Sequence, residues 1–315
     1  MIDNFLTVAS QVLVLFILIA AGFICGKTKI INDRVSKGLS DIAVYFSTPA
    51  VIIASFFRPF NSSMFVNWVI AFAVALVFHL IAIGTAFLGA HDKNKSSDSI
   101  KKFGVIFSNA GFMSLPLQMA ILGDDGVFYG ATYVVVFNII VWTFGVILIG
   151  GKEANVTLIK ILLNPCVISI AVGLILFLFN LSKYIPSTVS SAVTHIGNLN
   201  TPLPMFIIGY HLSKAKIVSA ITDKRIWVSI VLRLVGAPLA SIILLYLLKF
   251  TPLAIENTLA VSCIIAASAP CAALTTIFSE KYGKDTTLSV RLVSVSTLLS
   301  IFTMPLFVAL AQEFL

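Results

Sequence analysis

Charge is scarce in this sequence: Asp, Glu, Lys and Arg make up 11% of its 315 residues. A water-soluble domain carries about 25%, and less than half of that cannot coat a water-facing surface of this size. Hydrophobic residues reach 59% and mean hydropathy is +1.05, so lipid is the expected solvent for most of the chain. Cysteine is sparse as well. Cys25, Cys166, Cys263 and Cys271 fall in or at the ends of apolar runs, with no CxxC pair and no His-rich cluster, which reads as packing rather than disulfides or metal ligation. No Asp or Glu lies in the middle of an apolar run. This argues against a proton pump or sodium–proton antiporter that uses a buried carboxylate. It also removes the paired acids an intramembrane enzyme would need. No mid-span nucleophile, Walker motif, catalytic triad or metal site takes their place, so neither an enzyme nor a cofactor is expected. The formal net charge of +8 is assigned to loops beside a membrane, not to nucleic-acid binding.

What is present is a series of long apolar runs. A spanning helix needs about 20 mostly apolar residues, and ten runs qualify: 4–25, 38–57, 64–89, 103–121, 127–150, 158–180, 187–212, 226–249, 254–279 and 286–312. Only Asp3 precedes the first run as a charge, with no Lys or Arg, so the run is read as a spanning helix rather than a removed signal. The connections leave no room for a soluble domain. Of the 21 Lys and Arg, 17 lie in the odd connections, from Lys27 in the first to Arg291 beside the ninth. The even connections hold only Arg58, Lys183 and Lys249, and Arg233 lies inside a run. This alternation predicts odd connections in the cytoplasm and both termini outside it.

Half the chain length recurs as a spacing. Thr48-Pro49 and Thr201-Pro202 are 153 residues apart; Pro116 and Pro270, Thr143 and Thr297, and His79 and Arg233 are each 154 apart. Five helices per half is an odd number, so the second half must enter the membrane from the opposite side. The expectation is an all-α polytopic membrane protein with two inverted five-helix repeats, residues 1–151 and 152–315.

The fourth and ninth runs carry the polar chemistry. The fourth concentrates Ser108, Asn109, Gly111, Ser114, Pro116 and Gln118; the ninth reads Ala266-Ala267-Ser268-Ala269-Pro270-Cys271. Proline removes a backbone donor and clashes with the preceding turn. Within lipid such a break is tolerated where protein or a water-filled cavity surrounds it. Two related breaks point to a transporter binding site; packed, kinked helices are the bland alternative. A half-helix that starts at the midplane presents free N–H groups and about +0.5 charge, which suits an anion. Asn109 is either a donor to substrate or a bond to a neighbouring helix, and Asn198 and Asn200 pose the same question. His79 is a candidate proton carrier or a packing histidine. Arg233, about two turns from the end of the eighth run, is a candidate for snorkelling to the interface.

These stretches resemble the auxin efflux carrier family, which contains plant hormone exporters and bacterial permeases. The resemblance rests on Ser108-Asn109-Ala110-Gly111 through Pro116-Leu117, the Gly123-Asp124-Asp125-Gly126 turn and Trp142-Thr143-Phe144-Gly145. It continues through Leu163-Asn164-Pro165, Thr201-Pro202-Leu203-Pro204, Ser268-Ala269-Pro270, Lys281-Tyr282-Gly283-Lys284-Asp285 and Ser296-Thr297-Leu298. It implies a fold similar to bile-acid and sodium–proton transporters, with broken, crossing fourth and ninth helices. It places a substrate carboxylate beside Asn109 and Asn198. It further implies small carboxylates such as malate as substrates, a bacterial inner (plasma) membrane location, and members that can form homodimers.

The expected function is secondary transport or facilitated movement of small organic anions, with proton or sodium coupling left open. Asn109, Gly111, Ser114, Pro116, Asn198, Ser268 and Pro270 are the candidate substrate contacts; His79, Gln118 and Arg233 are candidates for coupling or gating. A sodium-coupled symporter and a non-transporting ligand sensor are the competing readings.

Overall fold

The computed structural model describes every residue except Met1, Thr157 and Ala254, and every side chain except also those of residues 2–4, Leu158 and Lys160. Asp3 and Lys160, both used in the charge argument, therefore fall outside the described side chains. The described residues form helices and no strands. In chain order the main helices are α1 (Ile2–Lys27), α2 (Asp33–Ser55), α3 (Ser62–Gly89), α4 (Lys95–Ile106), α5 (Ala110–Glu153) and α6 (Pro165–Leu178). They continue as α7 (Ser187–Asn198), α8 (Pro202–Lys214), α9 (Lys224–Leu248), α10 (Asn257–Ser268), α11 (Leu274–Lys281) and α12 (Thr286–Phe314). Six of them, α1, α2, α3, α5, α9 and α12, are long and apolar enough to cross a membrane, and α6 and α10 are shorter apolar helices.

The 44 residues of α5 would extend about 66 Å as a straight helix, twice the ~30 Å hydrocarbon thickness. The stretch bends sharply at Gly123, whose φ of 63° and ψ of −151° lie in a region open to glycine alone. The Gly123-Asp124-Asp125-Gly126 turn thus separates the fourth apolar run from the fifth.

Proline behaves differently from the sequence expectation. Pro49, Pro116 and Pro238 do not break their helices. Each opens an α-helical segment directly behind a five-residue π-helical turn, at Ala43–Ser47, Ala110–Ser114 and Leu232–Gly236. A π turn loosens the hydrogen-bond ladder where the pyrrolidine ring would otherwise clash with the preceding carbonyl. In the fourth run the chain leaves helical geometry earlier, at Phe107–Asn109. Only in the ninth does the interruption, between α10 and α11, contain its proline, Pro270.

Polar contacts between connections sort by end. At one end Lys214 pairs with Asp33 (2.5 Å) and Tyr210 donates to Asp33 (2.8 Å), while Arg291 and Arg225 both hold Asp223 (2.7 and 2.8 Å). Arg225 also reaches Asp285 (3.5 Å), whose amide donates to Ser96 Oγ (3.4 Å). At the other end Arg58 pairs with Asp125 and lies over the Phe128 ring (4.9 Å), and Ser182 Oγ donates to the Arg58 carbonyl (3.0 Å). The first, third, seventh and ninth connections thus meet one another, as do the second, fourth and sixth.

The main core contains residues from both halves of the chain, from Val8 and Ile52 to Met205 and Val308. Its tightest seam is α1 against α8. A Cβ on Gly209 would lie 2.0 Å from the Ile19 carbonyl oxygen, and one on Gly22 would lie 2.5 Å from that of Phe206. Small residues permit such backbone contact, which replaces the missing hydrophobic drive between helices in lipid. Gly209→Ala should therefore lower stability by at least ~1–3 kcal/mol, read as a fall in the apparent Tm of the detergent-purified protein.

Arg225, and then Arg291, beside Asp223 hold its carboxyl far below the usual carboxylate range. A depressed carboxylate stabilises the fold above its unfolded pKa of about 4 and loses that contribution as pH falls towards the folded value. Asp223→Asn should lower the Tm at neutral pH and flatten the acid-side decline, in melts taken from about pH 7 to pH 3.

Candidate functional site

The two interruptions pair with each other. Ser108 and Cys271 form an antiparallel bridge, in which Asn109 N donates to the Pro270 carbonyl (2.8 Å) and Ala272 N to the Phe107 carbonyl (2.9 Å). The Cys271 amide donates to Ser296 Oγ of α12 (3.2 Å). Backbone donors and acceptors freed by leaving the helix are thus satisfied by the other interruption and by a neighbouring helix, as burial in an apolar medium demands.

Two helices end here and two begin. The C-termini of α4 and α10 bring partial negative charge, and the starts of α5 and α11 bring partial positive charge. Arg233, only 1% exposed, answers the first pair. Its Nη1 donates to the carbonyls of Val105 (2.9 Å) and Ile106 (3.4 Å), and its Nη2 donates to that of Ala267. It does not snorkel to the interface. The reason is geometric: α9 packs against α4, so the guanidinium finds oxygen acceptors closer than water.

The start of α5 meets no such counter-charge. Asn109 sits at the N-cap of the Ala110–Ser114 turn without a side-chain capping bond, and 7% of its surface is accessible. A Cβ on Gly111 would meet no atom within 4 Å, so its side faces open space. Ser114 Oγ is buried with no hydrogen-bond partner, and Ser108 is buried beside the Tyr133 hydroxyl. Together Asn109 and Ser114 place neutral donors beside the open side of Gly111 at a positively polarised helix start, a geometry suited to an anion. Among the described residues, no three His, Cys, Asp or Glu side chains gather as a metal site.

A sequence family described as membrane transport protein, the auxin efflux carrier family, matches residues 7–308, nearly the whole chain. This protein belongs to that family. An uncharacterized transporter of Methanothermobacter thermautotrophicus is 22% identical over 308 residues, covering 96% of this chain and 98% of its own. An uncharacterized transporter of Methanocaldococcus jannaschii is 21% identical over 309 residues, covering 94% and 96%. Membership makes the chain a membrane transport protein, with the multi-pass helices that such a role requires.

Within this family frame the remaining candidate residues fall into two groups. Pro116, Gln118, Ser268 and Pro270 lie in the buried frame of the interruptions. Gln118 Nε2 donates to the Ser262 carbonyl (2.8 Å), Ser262 Oγ donates to the Gly126 carbonyl (2.8 Å), and Ser268 Oγ turns back to Ile265 (3.1 Å). The first two bonds tie α5 to α10, and the third lies within α10. His79 is fully buried, its Nδ1 on the Ala75 carbonyl (2.8 Å) and its ring 4.7 Å from that of Tyr133. Tyr133 in turn lies beside Ser108 and Arg233. Asn198 stands apart: it ends α7 and is exposed. The residue two positions on, Asn200, is 2% exposed and accepts from Thr48 Oγ1 (2.7 Å). The recurrence of Thr48-Pro49 as Thr201-Pro202 marks the two segments as related without announcing this contact. Tyr133 left no such signal, because one tyrosine in an apolar run is unremarkable.

The Thr48–Asn200 bond joins two bent segments from opposite halves of the chain. Thr48→Val and Asn200→Ala should each cost about 1–3 kcal/mol. The double variant should cost less than their sum by ~0.5–1.5 kcal/mol, measured as apparent Tm values in a double-mutant cycle.

Proposed function

We propose that this family member is a secondary transporter or facilitator of small organic anions, carboxylates such as malate or auxin-like acids, working by alternating access around the paired interruptions. The reading takes the ten apolar runs as ten spans in two inverted halves, residues 1–151 and 152–315, with the fourth and ninth crossing. The sorting of odd and even connections to opposite ends supports it. The surplus of Lys and Arg in the odd connections favours a cytoplasmic position for that end, with both termini outside the cytoplasm of a bacterial inner membrane.

The observation that carries the proposal is the opening beside Gly111, flanked by the uncommitted amide of Asn109. A carboxylate seated there accepts from the Asn109 side chain and faces the positively polarised start of α5, with the Ser114 hydroxyl buried behind it. The start of α11 adds the same partial charge. Neutral donors hold an anion without the deep binding that a buried ion pair would give, so release remains fast. Ser268, Pro116 and Pro270 shape the frame, and Gln118 and His79 brace it. Asn198 is a further substrate contact in this reading, and Asn200 is its competitor for that role. Rocking of one helix bundle past the other then exposes the opening to each side in turn.

Uptake of labelled malate and a panel of other small carboxylates into proteoliposomes tests the assignment. Asn109→Ala should reduce uptake of the transported acid about tenfold or more, the loss of one charge-assisted hydrogen bond. Uptake by Asn109→Ala equal to that of the unaltered protein would reject the role of Asn109.

A further inference from the structure

A positive charge buried in an apolar bundle is costly unless it is matched. Among the described residues no ion pair joins Arg233 to a carboxylate. Its match is instead a set of backbone oxygens: Val105 and Ile106 at the end of α4, and Ala267 at the end of α10. The hydroxyl of Tyr133 lies beside it. Several neutral oxygens converging from two helix C-termini are the kind of ligand set that holds an alkali cation in a transporter with interrupted helices. Here a side chain of the protein supplies the cation.

We propose that Arg233 is a tethered substitute for a coupling cation. Its guanidinium fills the position between the carbonyl ends of α4 and α10 that a sodium ion would otherwise occupy, so the anion site forms without sodium and the transport cycle carries none. Three features follow from this placement. The negative ends of both helices are neutralised in every state that keeps α4, α9 and α10 packed together. The partial positive charge at the helix starts is no longer offset by the partial negative charge of the helix ends. And the charge cannot leave with the substrate, because α9 holds it covalently. The link to transport rests on the function proposed above; the occupancy of a cation position does not.

The test therefore reads stability first. Apparent Tm is measured on the full chain in detergent, in sodium chloride against choline chloride at equal ionic strength, for the unaltered protein, Arg233→Lys and Arg233→Ser. The unaltered protein should melt at the same temperature in both salts. Arg233→Ser should melt several degrees lower in choline, and recover most of that loss in sodium chloride or in millimolar methylguanidinium. Arg233→Lys, which keeps a tethered charge, should show no dependence on sodium. A sodium-dependent rise in the Tm of the unaltered protein overturns the proposal, as does an Arg233→Ser variant whose loss neither cation repairs. If Arg233→Ser does not fold, the unaltered protein and Arg233→Lys decide, and sodium-dependent stabilisation of either one overturns it. No substrate enters these measurements, so a failure of carboxylate uptake leaves their outcome readable. In proteoliposomes that do take up a carboxylate, replacing sodium with choline should leave the rate unchanged.

Discussion

The arrangement depends on one constraint: a polypeptide that stops being helical inside an apolar bundle must find partners for every backbone group it frees. Two segments of this chain do so, and they solve the problem jointly. Each lends the other one donor and one acceptor through the Ser108–Cys271 bridge, and Arg233 takes up carbonyls at the ends of both preceding helices. Neither interruption is satisfied without the other, which locks α4, α5, α10 and α11 into one unit.

This mutual satisfaction has an electrical consequence. Helix ends and helix starts meet at one place, and their partial charges would largely cancel if left alone. The buried guanidinium answers only the ends. The starts keep their polarity, and Gly111 leaves the space in front of one of them open. The proposed anion site thus draws its positive character from a helix start rather than from a lysine or arginine that faces the substrate.

The surrounding bundle is organised to hold that place steady. Glycines bring α1 and α8 into backbone contact across the two halves of the chain, and Gln118 with Ser262 fastens α5 to α10. Ionic clusters close the ends of the bundle, with Asp223 shared by two arginines at one end and Arg58 on Asp125 at the other. These fixed points hold α4, α5, α10 and α11 together as the unit that would move against its neighbours under the proposed alternating access.

Much of this was legible in the amino-acid sequence, because lipid imposes rules that act locally. Apolar run length and the small polar residues and prolines inside apolar runs are properties of short segments, and they sufficed for an all-helical membrane protein with polar interruptions in its fourth and ninth runs. Tertiary structure decided the rest. Proline position did not locate the fourth interruption, because a π turn absorbs Pro116 while the true break at Phe107–Asn109 is set by its bonds to a segment more than half the chain away. Arg233 read as a surface-seeking cation because its acceptors, the carbonyls of Val105, Ile106 and Ala267, are backbone atoms that carry no residue signature. Between Asn198 and Asn200, only the bend of α7 into α8 chose which amide turns inward. A side chain's partner across the bundle depends on which helix faces which, and that is a global outcome of packing rather than a property of any one run of residues.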